Sequence, residues 1–138
     1  MFSSSTTIRV RYAETDQMGY VYYGNYAQYF EVGRVEAMRQ LGYSYKDIEE
    51  SGVIMPVIDL QVKFKKPGRY DDELTIHTYI KELPGFRIRF EYEITNLSDE
   101  LICTGSTSLV FMDPKLNKIC SAPEGIVEAL RAYFNDPA

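Results

Sequence analysis

Apolar side chains recur every second residue near the start of the chain, every third or fourth in a long stretch after it, and every second again through most of the remainder. Ile8, Val10 and Tyr12 alternate with Arg9 and Arg11, which predicts a short first strand over 7–12. Between Asn25 and Leu41, the residues Tyr26, Tyr29, Phe30, Gly33, Ala37 and Leu41 fall on one stripe of a helix. Asn25 suits the N-cap, Gln28 stands where a capping box would be completed, and Gly42 suits the position just past the end. A second, short helix is expected from Ser44 to Glu50, stopped by Gly52. Beyond it the pattern is β. Ile58, Leu60, Val62 and Phe64 alternate within 54–64, and Leu74, Ile76 and Ile80 share a face within 73–80. Phe86, Ile88, Phe90, Tyr92 and Ile94 then alternate with Arg87, Arg89, Glu91, Glu93 and Thr95. Pro67–Gly68, Pro84–Gly85 and Asn96–Asp99 mark the turns. Leu101–Met112 is apolar on parts of both faces, as expected of a covered central strand. Ser121, Pro123 and Glu124 suggest a capping box with an early proline, opening a last helix to Phe134.

The predicted order is a strand, a long helix, four antiparallel strands on links of hairpin length, and a terminal helix. That is an α+β protein in which an antiparallel sheet wraps around one long central helix. No repeat, low-complexity tract or linker interrupts it, so residues 1–138 are expected to form a single domain. One helix cannot cover both faces and both edges of such a sheet, which favours a homo-oligomer.

Composition then narrows the chemistry. Fifteen Lys plus Arg against twenty Asp plus Glu give a net charge of −5, which argues against nucleic acid as a partner and requires a local basic patch for any anionic ligand. No apolar run approaches the roughly 20 residues of a spanning helix, so no membrane insertion is expected. Met1–Thr7 has neither a basic nor an apolar leader-like stretch, and a cytoplasmic location is expected. Cys103 and Cys120 lack the spacing of a zinc site and are too few for a disulfide framework. The lone histidine, His77, would have to serve any histidine-based mechanism, yet it shares a strand face with Thr75 and Tyr79 that is either solvated or meets another subunit. No metal site is expected, and carboxylates and backbone are left to do the chemistry.

The segment between the first strand and the long helix is the unusual one. Five tyrosines fall between Tyr20 and Tyr29, dense for a connecting loop. They either wall a pocket or pack the helix onto the sheet. Asp16 in the same loop is either an ordinary loop acid or cap, or a carboxylate held among tyrosines, where desolvation and the helix N-terminus push its basicity in opposite directions. Free N–H groups at the helix start could polarise a substrate carbonyl. Together they would suffice to hydrolyse an activated acyl group. Glu14 is expected to be a loop acid, and Glu31 and Arg34 to pair along the helix.

The run R-Y-x-E-T-D-x-M-G-Y-V-Y-Y-G-N-Y-A-x-Y-F-E-x-G-R, from Arg11 to Arg34, strongly resembles the signature of hotdog-fold acyl-CoA thioesterases of the 4-hydroxybenzoyl-CoA type. The Tol-Pal-associated acyl-CoA thioesterases are the most similar branch, and the element order is similar over nearly the whole chain. The resemblance implies a hotdog fold and a homodimer or homotetramer with active sites at the subunit interface. It implies an acyl-CoA substrate, with coenzyme A as part of the substrate and no separate cofactor. Asp16 matches the family's catalytic aspartate, a nucleophile or a general base on water. Tyr23 matches the position whose backbone N–H faces the thioester carbonyl, and Gly19 the glycine at which the backbone turns close to the ligand. Many members carry histidine where Tyr23 stands, so no imidazole role transfers.

Tyr20, Tyr22 and Tyr26 are then expected to wall the acyl site. Lys65, within the cluster Lys63, Lys65, Lys66 and Arg69, and the pair Arg87 and Arg89 are candidates for the phosphates of coenzyme A; the alternative is a solvated charged face. A non-catalytic acyl-CoA binding or sensing module on the same fold is the rival reading, disfavoured because binding alone needs no acid at the thioester. A hotdog dehydratase or hydratase would need a better-placed histidine than His77.

Overall fold

The computed structural model describes residues 1–134. Strand β1 (Phe2–Arg9) leads through a short 3-10 turn (Tyr12–Glu14) to helix α1 (Asn25–Leu41) and helix α2 (Tyr45–Glu50). Strands β2 (Val57–Phe64), β3 (Glu73–Ile80), β4 (Arg87–Thr95), β5 (Leu101–Asp113) and β6 (Lys118–Cys120) follow, then helix α3 (Glu124–Arg131). The sheet runs β1-β3-β4-β5-β2 with every neighbouring pair antiparallel, and β6 pairs with the end of β5. It curls around α1, which is the hotdog arrangement.

The alternation of β3 and β4 sends Leu74, Ile76, Ile80, Ile88, Phe90, Tyr92 and Ile94 inward, where all are buried. Phe30 of α1 stacks on Tyr92 with ring centroids 4.3 Å apart. Two close approaches let α1 lie this near the sheet. A side chain at Gly33 would strike Ile76 and Thr78, and one at Gly105 would strike Phe30.

Several expectations need correction. The first strand is Phe2–Arg9 rather than 7–12, because ladder pairing with β3 from Phe2↔Ile80 to Arg9↔Glu73 outweighs the polar character of Ser3–Thr7. Inward-facing Ser4 is tolerated there because its hydroxyl donates to Gln40 Oε1 at 2.8 Å. The link from β2 to β3 is not a hairpin: β2 pairs with β5 at the far edge. Helix α3 begins after Pro123 with no side-chain cap, and Ala132–Phe134 form turns rather than helix. Strand β6 had no alternation long enough to announce it. Helix α2 starts at Tyr45 rather than Ser44, which caps it instead, its hydroxyl accepting from the Asp47 N–H at 3.3 Å. Gly42 ends α1 with φ 91°, the left-handed conformation glycine adopts most readily.

The predicted apolar face of β2 exists but is only partly covered. Leu60, Val62 and Phe64 pair with Thr107, Gly105 and Cys103 and so point to the helix side of the sheet. Helix α1 packs chiefly on β1, β3 and β4 and covers β2 only in part, where Tyr26 meets Phe64. Leu60 is 47% and Phe64 56% exposed in consequence.

Candidate active site

The loop between β1 and α1 is built on Asp16. Its backbone N–H donates to Tyr20 O at 2.8 Å and its carbonyl accepts from Gly19 N–H at 3.0 Å. Its Oδ1 accepts from the N–H groups of Met18 (2.9 Å) and Tyr20 (3.2 Å), an Asx-type turn closed by Gly19 at φ 78°. One carboxylate oxygen is thereby fixed, and Oδ2 has no hydrogen bond among the described residues.

The start of α1 supplies the second component. Asn25 does not cap the helix as expected, and no capping box forms with Gln28. Gly24 occupies the N-cap with no side-chain hydrogen bond, while Asn25 Nδ2 is drawn away to donate to Glu14 O at 2.8 Å. The N–H groups of Tyr23 and Gly24 are left without a protein acceptor among the described residues. Such free donors at a helix start favour negative charge.

Asp16 and Tyr23 line one cleft of about 320 Å³, together with Met18, Tyr20, Val21, Tyr26, Phe64, Lys65, Lys66 and Pro67. Tyr26 forms part of its floor, only 3% exposed, with its ring 5.6 Å from that of Phe64. Burial pushes the Tyr26 phenol up to about 12, so it stays neutral. Tyr20 is held by a bridge to Arg69, whose guanidinium carbon lies 4.9 Å from the ring centroid.

The tyrosines therefore divide between the two roles left open by sequence. Tyr20, Tyr23 and Tyr26 wall the cleft, while Tyr29 is buried against Tyr26. Tyr22 is not in the cleft wall: it packs on Tyr23 with ring centroids 4.6 Å apart. Gly19 shapes the turn without lining the cleft. Lys65 stands at the rim, whereas Lys66 forms an ion pair with Glu100. Arg87 and Arg89 lie apart from Asp16. They are exposed on the outer face of β4, and Arg89 lines a separate groove of about 560 Å³ formed by strand residues with Met1 and Lys81.

His77 is half-buried on the same outer face. Its Nδ1 lies 2.9 Å from Ser5 Oγ and its Nε2 3.2 Å from Thr95 Oγ1. Glu31 and Arg34 form no ion pair among the described residues; Arg34 is buried beside Tyr45 and Tyr92 instead. Sequence reasoning missed Phe64 and Pro67 as cleft walls, because only the crossing of β2 to the far edge brings them beside the loop. No group of three or more His, Cys, Asp or Glu among the described residues could hold a metal ion. No helix there is long and apolar enough to cross a membrane.

Glu14 is the residue sequence reasoning underrated. Its side chain is 13% exposed, and its Oε1 accepts from Arg11 N–H at 2.9 Å and Tyr29 O–H at 3.1 Å. Burial alone would raise its affinity for a proton. The Arg11 N–H, the Tyr29 hydroxyl and the Arg11 guanidinium together overcome this and hold the carboxyl below its ordinary value of 4.5. A carboxyl depressed on folding contributes stability that is complete above the unfolded-state value and is lost as pH falls through the folded one. Glu14→Gln should therefore flatten the fall in Tm below pH 4.5, measured by thermal melts against the parent protein.

Comparison with known proteins places the chain in a family. The model of the thioesterase-like superfamily matches residues 10–130. The putative acyl-CoA thioesterase YneP of Bacillus subtilis is 42% identical over 113 residues, 82% of each chain. The acyl-CoA thioester hydrolase YbgC of Escherichia coli is 31% identical over 120 residues, covering 87% of this chain and 90% of that one. A DHNA-CoA thioesterase from Staphylococcus aureus superposes with a TM-score of 0.87 at 37% identity, covering 99% of this chain and 97% of the other.

Proposed function

Because the chain belongs to the thioesterase-like superfamily and is an acyl-CoA thioester hydrolase, we propose that it cleaves a small acyl- or aryl-coenzyme A, with Asp16 as nucleophile or general base and the Tyr23 N–H as oxyanion donor. The observation that carries this reading is one cleft lined both by Asp16, with a free carboxylate oxygen, and by Tyr23, which precedes α1 and has a free N–H. The thioester carbonyl oxygen faces the Tyr23 N–H, and Asp16 either attacks the carbonyl carbon or takes a proton from the water that does. Negative charge that develops on the oxygen meets the amide dipoles, the carbon–sulfur bond breaks, and coenzyme A leaves as the thiol once protonated. Where Asp16 attacks, water hydrolyses the resulting anhydride and restores the carboxylate.

Tyr20, Tyr23, Tyr26 and Phe64 shape the acyl site, and Lys65 at the rim meets a phosphate of the carrier. Coenzyme A enters as part of the substrate, and the scheme uses no metal or redox cofactor. The test is thiol release across aryl-, short-chain and long-chain acyl-CoAs. Turnover of at least one class is expected. Tight binding of acyl-CoA with no thiol release from any class would favour the binding or sensing module instead.

The exposed part of the inner face of β2 also bears on the site. An edge strand with unpaired backbone groups and exposed Leu60 and Phe64 is matched by a second copy of the same edge, which would cover the apolar strip and close the open side of the cleft beside Phe64. The protein is accordingly proposed to be a homodimer, or a homotetramer built from such dimers. Leu60→Lys should yield a monomer in sedimentation velocity with reduced thiol release. A Leu60→Lys protein that sediments like the parent would rule this interface out.

A further inference from the structure

Glu14 lies two residues before Asp16 yet lines no part of the cleft. Its bonds converge from three pieces of chain. Arg11, at the loop's beginning, donates its backbone N–H at 2.9 Å and its guanidinium at 3.2 Å. The start of α1 donates to the Glu14 carbonyl, from Tyr22 N–H and Asn25 Nδ2, both at 2.8 Å. The next turn of α1 donates to the carboxylate from the Tyr29 hydroxyl at 3.1 Å. Asp16 hangs from the first of these pieces, and the Tyr23 amide sits within the second.

We infer that Glu14 is a positioning residue that sets Asp16 against the Tyr23 amide by tying the loop to α1, an inference that rests on those two groups being the reacting pair. Glu14 itself does not touch substrate. The side-chain tie is carried by an acceptor oxygen rather than by charge, because both donors to Oε1 are neutral and Arg11 is 79% exposed. Glutamine offers the same acceptor and alanine none. A misplacement of about 1 Å between reacting groups costs on the order of 10²-fold in rate.

The experiment compares Glu14→Ala, Glu14→Gln, Tyr29→Phe and Asp16→Asn in the full chain, measuring kcat and KM by thiol release well below each Tm. Glu14→Ala is expected to lower kcat about 10²-fold with KM little changed. Glu14→Gln should stay within about threefold of the parent, because its carbonyl oxygen still accepts both bonds. Tyr29→Phe, which breaks one link only, should lose about 10-fold. Equal inactivation by Gln and Ala would overturn the inference, since it would make the carboxylate itself the base. So would a Glu14→Ala protein with parental kcat, or one whose loss merely tracks its unfolded fraction, with Tyr29→Phe unaffected. An inactive Asp16→Asn beside an active Glu14→Ala sinks this inference alone; an active Asp16→Asn sinks the catalytic reading and this one with it.

Discussion

Asp16→Asn is expected to lower kcat by about 10²–10⁴-fold while leaving KM and Tm close to the parental values. The substitution suits the site because Asp16 serves two ends through two different oxygens. Oδ1 accepts from the Met18 and Tyr20 N–H groups and holds the turn. Asparagine keeps that acceptor, so the turn and the cleft it shapes survive. What it lacks is the second oxygen as a base or nucleophile, because the amide nitrogen carries protons and no available lone pair. Asp16→Ala should do worse in a distinguishable way. It removes the turn's acceptor as well, leaving two loop N–H groups without their partner, so Tm is expected to drop with activity. Thiol release under single-turnover conditions, alongside thermal melts of both variants, checks the contrast. An Asp16→Asn enzyme that turns over at the parental rate would end the assignment of this carboxylate to the chemistry.

The sequence made much of this legible, and the parts it did not make legible have a common cause. Period and cap residues located α1 to within one residue, with the cap at Gly24 rather than Asn25, and β3 at both ends, because each buries one regular stripe against the other. The density of tyrosines marked the loop, and Asp16 stood out within it. Topology lay beyond reach. A link that could close a hairpin instead carries β2 across to β5, and nothing in residues 65–72 records that choice. It is made by Cys103, Gly105 and Thr107 of β5, which lie more than thirty residues away and offer the partners for Phe64, Val62 and Leu60. The walls Phe64 and Pro67 were invisible for that reason. Asn25 misled for another: a residue good at capping is equally good at bonding a loop carbonyl, and here the Glu14 carbonyl competes successfully for its amide. The candidate oxyanion donor does not depend on the failed cap, since a capping side chain accepts from N–H groups two or three residues further on and would leave those of Tyr23 and Gly24 free.

Gly105→Ala is expected to cost about 3 kcal/mol and lower Tm by roughly 10 °C, far more than an alanine usually costs in a strand. A Cβ at this position would stand 2.4 Å from Phe30 Cε2 and 2.6 Å from the backbone oxygen of Gln61. Neither neighbour has room to yield. Phe30 is fully buried and stacked at 4.3 Å on Tyr92, whose hydroxyl is tied to Thr107 Oγ1 at 2.5 Å. Gln61 is held in the β2–β5 ladder opposite Ser106. Relief must come from moving α1 away from the sheet or β2 away from β5, and either motion reaches the cleft: α1 carries the Tyr23 amide at its start, and β2 ends in Phe64. Loss of kcat should therefore accompany loss of stability even at temperatures where the variant stays folded. Gly85→Ala is the control, because nothing lies within 4 Å of its Cβ position and its backbone is not left-handed, so its Tm should stay near the parental value. Phe30→Leu placed on Gly105→Ala should recover part of the lost stability, with a coupling between the two sites that additive behaviour would not show. Parental stability and turnover in Gly105→Ala would mean that α1 does not lie this close to β5, and the placement of the Tyr23 amide over the cleft would go with it.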